Sequence, residues 1–234
     1  MSRQLALKVG LSDFACFENF HAGPNREAVA AIREAAWARP VLLCIHGPSG
    51  TGKSHLLYAA LKEAGARGRP AAYSSRAAAR PGTAEWLDLP GDGLVCIDDI
   101  GENLSPAEGE ALFRLYESSR NREGSLVLSS RLPPSGIDWG LADLRSRVQS
   151  GLVYRLAPLG EWELEEALRL RAGHRGIYLS DDVVRFVLRR YERTPASLFR
   201  LLDRIDSESL ARKRRITVPF LRALEADGGD TAPT

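Results

Sequence analysis

The chain has 234 residues, 44% of them hydrophobic, and its 32 Lys and Arg nearly cancel 30 Asp and Glu to leave a net charge of +2. That length suits one larger domain with a small one beside it, and so even a balance gives no general electrostatic case for nucleic-acid binding. The three cysteines, Cys16, Cys44 and Cys96, form no C-x-x-C, and two of them sit in apolar runs, which points to small core residues in a reducing compartment rather than to disulfides or a thiolate metal site. No signal-peptide pattern is visible, and no apolar run approaches the roughly 18 residues that span a membrane. A cytoplasmic protein without membrane contact is expected.

In chain order, residues 1–12 read as extended, with Gln4, Leu5, Leu7 and Val9 alternating around Ala6 and Lys8. An ordinary N-terminal strand or a frayed tail would give the same pattern. Phe14, Phe17 and Phe20 follow. Ala22-Gly-Pro-Asn then opens a helix to about Trp37, with Asn25 or the preceding turn as its cap. Val41–Ile45 is a short apolar strand, and Gly47-Pro-Ser-Gly-Thr-Gly-Lys-Ser54 fits the phosphate-binding pattern G-x-x-x-x-G-K-[ST] in full. Helix begins again at Lys53. Ala71–Ser75 reads as a second strand, residues 76–93 as irregular, and Leu94–Ile100 as a third strand that carries Asp98 and Asp99 at its end. Ser105-Pro-Ala-Glu108 is a helix start with capping-box spacing, running to about Arg120. Ser125–Ser130 is a fourth strand, Leu141–Val148 a short helix and Leu152–Leu156 a fifth strand. Apolar strands alternating with helices predict a parallel five-stranded α/β sheet over residues 13–158. After Pro158 the strand pattern stops. Glu161–Arg175, Asp181–Glu192, Pro195–Arg212 and Pro219–Ala226 predict a small all-α bundle over 159–226, followed by a Gly- and Pro-bearing tail, 227–234, expected to be disordered.

The chemistry gathers at the strand ends, where parallel sheets bind ligands. Gly47, Gly50 and Gly52 let the loop fold back so that its N–H groups converge at a helix N-terminus, which favours phosphate. Pro48, Ser49, Thr51 and His55 complete the candidate nucleotide-binding run. Lys53 is suited to the β- and γ-phosphates of ATP or ADP, and Ser54 with Asp98 to the accompanying Mg²⁺. Asp99 stands where a general base would polarise an attacking water. Its side chain is one methylene shorter than Glu, which predicts slow intrinsic hydrolysis. Ser129 or Ser130 is placed to meet the γ-phosphate or that water, although a plain strand end would read the same way. Arg145 and Arg147 lie on the short helix, either as solvated surface groups or as a finger reaching another molecule's phosphates. Such a finger is worth about 10³–10⁵ in rate. The basic run Arg212–Arg215 reads as a solvated helix end, and His46 and His55 as local polar contacts without metal-site spacing.

Gly47–Ser54 followed by His-Leu, the Cys-Ile-Asp-Asp-Ile strand, Leu144-Arg-Ser-Arg-Val148 and Phe17-Glu-Asn-Phe-His-Ala-Gly-Pro-Asn25 together resemble the DnaA branch of the AAA+ ATPases, over about Phe14 to Leu224. Within that branch the chain is most similar to the Hda-type regulatory inactivators of DnaA. Gln4-Leu5-Ala6-Leu7 resembles their sliding-clamp-binding motif. Pro158-Leu, Leu198-Phe199 and Ile216-Thr-Val-Pro-Phe220 look like their lid, and no helix-turn-helix domain follows it. The resemblance implies an AAA+ domain with a four-helix lid, binding to the DNA polymerase III β clamp through Gln4, Leu5, Leu7 and Val9, and Arg147 acting in trans to promote hydrolysis of DnaA-bound ATP, so preventing re-initiation. It also implies possible self-association and no sequence-specific DNA contact. Ala196 departs from the pattern, standing where the family usually carries a lid arginine, with Arg193 and Arg200 nearby. The alternative reading is a DNA-acting AAA+ ATPase such as a helicase loader or transposition helper.

Overall fold

The computed structural model describes residues 15–37, 40–75, 93–212 and 214–228. The chain divides into two compact units. One runs from Pro24 to Pro158 together with the segment ending at Glu18; the other runs from Leu159 onward and includes Asn19–Gly23.

The first unit is built on a parallel sheet of β1 (Leu42–His46), β2 (Ala71–Ser75), β3 (Leu94–Ile100), β4 (Ser125–Ser130) and β5 (Leu152–Arg155), in the order β2-β3-β4-β1-β5. Four helices accompany it: α1 (Arg26–Ala35), α2 (Lys53–Ala66), α3 (Pro106–Asn121) and α4 (Ala142–Ser150). Side chains alternate along a strand with a period of two, and both faces are filled. Cys44, Val95, Ile97, Leu126 and Leu128 pack with Leu112 and Leu115 of α3 and Leu144 and Val148 of α4. Their neighbours Leu43, Ile45, Leu94, Cys96 and Val127 are also buried. The strands therefore read as unbroken apolar runs rather than alternating ones.

Local signals fix several ends. Ser105 caps α3 through a complete capping box with Glu108, behind Pro106 at the first helical position. A backbone-to-backbone approach docks α3 against the chain leading into α4. A Cβ on Gly109 would lie 2.4 Å from the Trp139 carbonyl oxygen, and one on Gly140 (φ +64°) would lie 2.6 Å from that of Ser105. Only glycine fits at either place.

Asn25 departs from expectation. Its side chain makes no cap hydrogen bond to α1. Instead it is buried, donating through Nδ2 to the Ala157 carbonyl (3.1 Å) and accepting the Ala157 N–H at Oδ1 (2.7 Å). The two bonds to Ala157 fix the direction of the side chain, and it is the Ala157 backbone rather than the helix N-terminus that it serves.

The second unit holds α5 (Glu161–Gly173), α6 (Asp181–Arg190), α7 (Pro195–Arg212) and α8 (Val218–Gly228). Leu164, Leu168, Val184, Val187, Leu198, Leu202, Ile205 and Leu221 are part of one apolar cluster there. Three of these helices end one or two residues away from the predicted boundaries. α8 continues to Gly228, so the predicted disordered tail is corrected at Asp227 and Gly228. The rest of that tail, and the extended segment with Gln4, Leu5, Leu7 and Val9, lie outside the described residues.

Candidate nucleotide-binding site

The loop between β1 and α2 is shaped by its glycines. Gly50 and Gly52 take φ of +81° and +88°, the left-handed region that side chains disfavour. A Cβ on Gly47 would meet the Leu156 carbonyl oxygen at 2.4 Å. Gly47 N–H donates to Ser130 O (3.2 Å), which ties the loop to the end of β4, and the Thr51 hydroxyl donates to Pro48 O (2.9 Å). Pro48, Ser49, Gly50 and Ser54 are exposed, while Thr51 and Lys53 are buried. The Lys53 ammonium donates to the carbonyls of Gly47 (2.7 Å) and Pro48 (2.8 Å). Burial holds its pKa below the usual lysine value; Asp98 and Asp99 pull against that shift, and Arg131 adds to it.

Asp98 is the most constrained group of the site. Its carboxylate is buried and accepts three hydrogen bonds. The Ser129 hydroxyl and the Asp99 N–H (3.0 Å) donate to Oδ1, and the Tyr73 hydroxyl donates to Oδ2 at 2.8 Å. The Asp99 N–H also reaches Ser129 Oγ (3.0 Å). That arrangement goes with a break in register between Ile97 and Ile100 and with φ +56° at Asp99. The irregularity turns the Asp99 side chain outward, where it is exposed. Ser129 is fully buried against Asp98, and the Ser130 hydroxyl donates to Leu132 O (2.7 Å).

The remaining sequence candidates fall as follows. His55 Nε2 donates to the Cys16 carbonyl at 3.0 Å, joining α2 to the segment before α1. His46, at the end of β1, has its pKa lowered by burial and by the cations Arg155 and Lys53. Arg147 is exposed on α4, while Leu144 and Val148 of the same helix are wholly buried. In the second unit, Ala196 and Arg200 are exposed. Arg193 is engaged there by Glu161 (2.8 Å) and by the Leu188 carbonyl (2.9 Å). Sequence reasoning missed Tyr73, Tyr58 and Arg131. Arg131 directly follows Ser130, so its place at a strand end was open to view. Tyr73 becomes visible only once β2 and β3 are in register, with Ser75 opposite Asp98.

Residues 161–224, within the second unit, match the family described as Hda, lid domain. Domain III of the Thermotoga maritima replication initiation protein DnaA superposes with a TM-score of 0.72 at 20% identity, covering 91% of this chain and 96% of that one. A replication initiator DnaA bound to AMPPCP and single-stranded DNA gives 0.69 at 24% identity, covering 85% and 67%. The Thermotoga maritima RuvB Holliday junction branch migration motor gives 0.63 at 19% identity, covering 86% and 67%. The five-stranded parallel sheet thus has the AAA+ fold of these neighbours. Among the described residues no helix is long and apolar enough to cross a membrane.

Proposed function

We propose that this protein is a nucleotide-binding regulator of replication initiation that promotes ATP hydrolysis on a DnaA-type partner. The Hda lid match carries the reading. The exposed Arg147 supports the mechanism. Leu144 and Val148, one helical turn apart, anchor α4 in the core, and the glycine contacts at Gly109 and Gly140 fix the chain that leads into it. A guanidinium held on so rigid a base can complete a neighbour's phosphate site, where positioned positive charge stabilises the transition state. Gln4, Leu5, Leu7 and Val9 would tether the protein to the sliding clamp. Burying three such side chains contributes about 1.5–3 kcal/mol each, against about 1–2 kcal/mol per ordered residue. Each site is therefore weak, and a multi-site clamp helps through effective concentration.

The chain's own nucleotide site suits ATP or ADP with Mg²⁺. The Ser54 hydroxyl and the Asp98 carboxylate supply the hard oxygen donors that Mg²⁺ takes, and Lys53 supplies the charge for phosphate. Bound Mg²⁺ would neutralise phosphate charge there. With Asp99 short and Ala196 at the usual lid-arginine position, the nucleotide serves mainly as a structural ligand, and intrinsic hydrolysis is weak.

The test combines the protein, clamp loaded on DNA and ATP-bound DnaA, and follows phosphate release. Arg147→Ala should abolish the stimulation while retaining nucleotide and clamp binding. Full stimulation by that variant would refute the finger. Loss of clamp binding on replacing Leu5 and Leu7 with Ala checks the tether. DNA-stimulated hydrolysis without DnaA would instead favour a self-sufficient DNA-acting ATPase.

A further inference from the structure

A carboxylate offers about four lone-pair sites, and three of those on Asp98 are taken by Ser129, the Asp99 N–H and Tyr73. The donors on Oδ1 come from β4 and from the chain itself. The donor on Oδ2 comes from β2, 25 residues away. Tyr73 is in turn stacked on Tyr58 of α2, with ring centroids 4.5 Å apart and planes 25° apart. Tyr58 lies one helical turn after Ser54, on the same face of α2. The aromatic pair therefore joins α2, which carries Ser54, to β2, and the Tyr73 hydroxyl carries the link on to Asp98 of β3.

We propose that Tyr73 is a positioning residue for the divalent cation that accompanies the nucleotide. It leaves one lone pair of Asp98 Oδ2 available and aims it, and Tyr58 holds Tyr73 in place against α2. The proposal rests on the reading that Asp98 faces that cation. A hydrogen bond to a charged acceptor is among the stronger ones in a protein, and outer-shell partners of metal-facing carboxylates typically matter 10–100-fold in metal affinity. Ser54 and Asp98 approach the cation from different elements, α2 and β3, so a stack on α2 whose Tyr73 hydroxyl is bonded to Asp98 keeps their separation constant.

The experiment measures binding of a fluorescent ADP to the purified full chain, first in EDTA and then across a Mg²⁺ titration. Tyr73→Phe keeps the ring and removes only the hydroxyl. It should raise the Mg²⁺ needed for half-saturation about tenfold while leaving affinity in EDTA at the wild-type value. Tyr58→Leu should give a smaller rise, about threefold. Tyr116→Phe on α3, outside this network, is the matched control. Equal Mg²⁺ dependence in Tyr73→Phe and wild type would overturn the proposal, as would an equal loss with and without Mg²⁺, which is the mark of a merely structural tyrosine. Asp98→Asn separates the two layers of argument. If it too retains the wild-type Mg²⁺ dependence, the metal-facing reading of Asp98 has failed. If Asp98→Asn loses that dependence and Tyr73→Phe keeps it, only the role of Tyr73 has failed.

Discussion

The two units bury different things. In the α/β unit, Asn25, Thr51, Lys53, Asp98, Ser125, Ser129 and Ser130 are all enclosed, five of them in or beside the nucleotide loop and the strand ends that face it. Among the described residues of the helical unit the enclosed polar groups are Asn19 and Arg171, and the interior is a largely aliphatic cluster. Enclosed polar groups need specific partners, and the first unit supplies them with parallel strands that end side by side. The lid needs only one apolar stripe on each helix, which many sequences provide. Chemistry is thus concentrated where packing is most exacting.

That contrast can be broken or sharpened by substitution. Leu202 is fully buried in the lid, so Leu202→Ala should cost about 2–5 kcal/mol. Hydrogen exchange should accelerate in α5 and α7 while amides of β3 and β4 keep their protection. Equal loosening of both would show that the units do not unfold separately. Lys53→Ala should weaken nucleotide binding by about 100-fold, or about 2.7 kcal/mol, read by fluorescent-nucleotide titration, with the exchange of the lid amides unchanged.

Alkaline pH should act on the sheet through its buried thiols. Burial pushes the Cys44 thiol up to about 12, and that of Cys96 also upward, from an ordinary value of 9.0. The folded unit keeps both protons where the unfolded chain releases them. The stabilisation is complete below pH 9 and declines above it, by about 1.4 kcal/mol per pH unit for each thiol. Urea unfolding at pH 8 and pH 10 should show the drop, and Cys44→Ala should reduce it. The smallest expected effect is at the α3 cap. Ser105→Ala should cost about 1 kcal/mol, visible as a shift in the urea midpoint of the first unit.

Much of this was legible before any coordinates. The glycine loop, the strand carrying Asp98, the Ser105 cap and the helical periodicity after Pro158 are local signals, each spelled out within a dozen or so residues. The hidden features are those that join distant residues. Asn25 looks like a helix cap until Ala157, 132 residues later, is brought beside it. Tyr73 reads as one more strand residue until β2 is set in register with β3. Ser129 or Ser130 read as a group for the γ-phosphate or its water, or as a plain strand end, and only the fold shows the Ser129 hydroxyl turned onto Asp98. Side-chain direction at a break in register depends on a backbone conformation, here φ +56° at Asp99, that residue type permits without dictating.

The strand order also bears on how the protein is made. The loop strand β1 finds no sheet neighbour among the residues that immediately follow it. Leu42 aligns with Leu126, 84 positions later, and Leu43 with Leu152, 109 positions later. On the ribosome, β1 and its glycine loop must wait, apolar and unpaired, until most of the α/β unit has emerged. Parallel pairings at such separation form slowly, and unpaired strand edges are where nascent chains aggregate. The nucleotide cradle, written early in the chain, is therefore among the last parts of its unit to take shape.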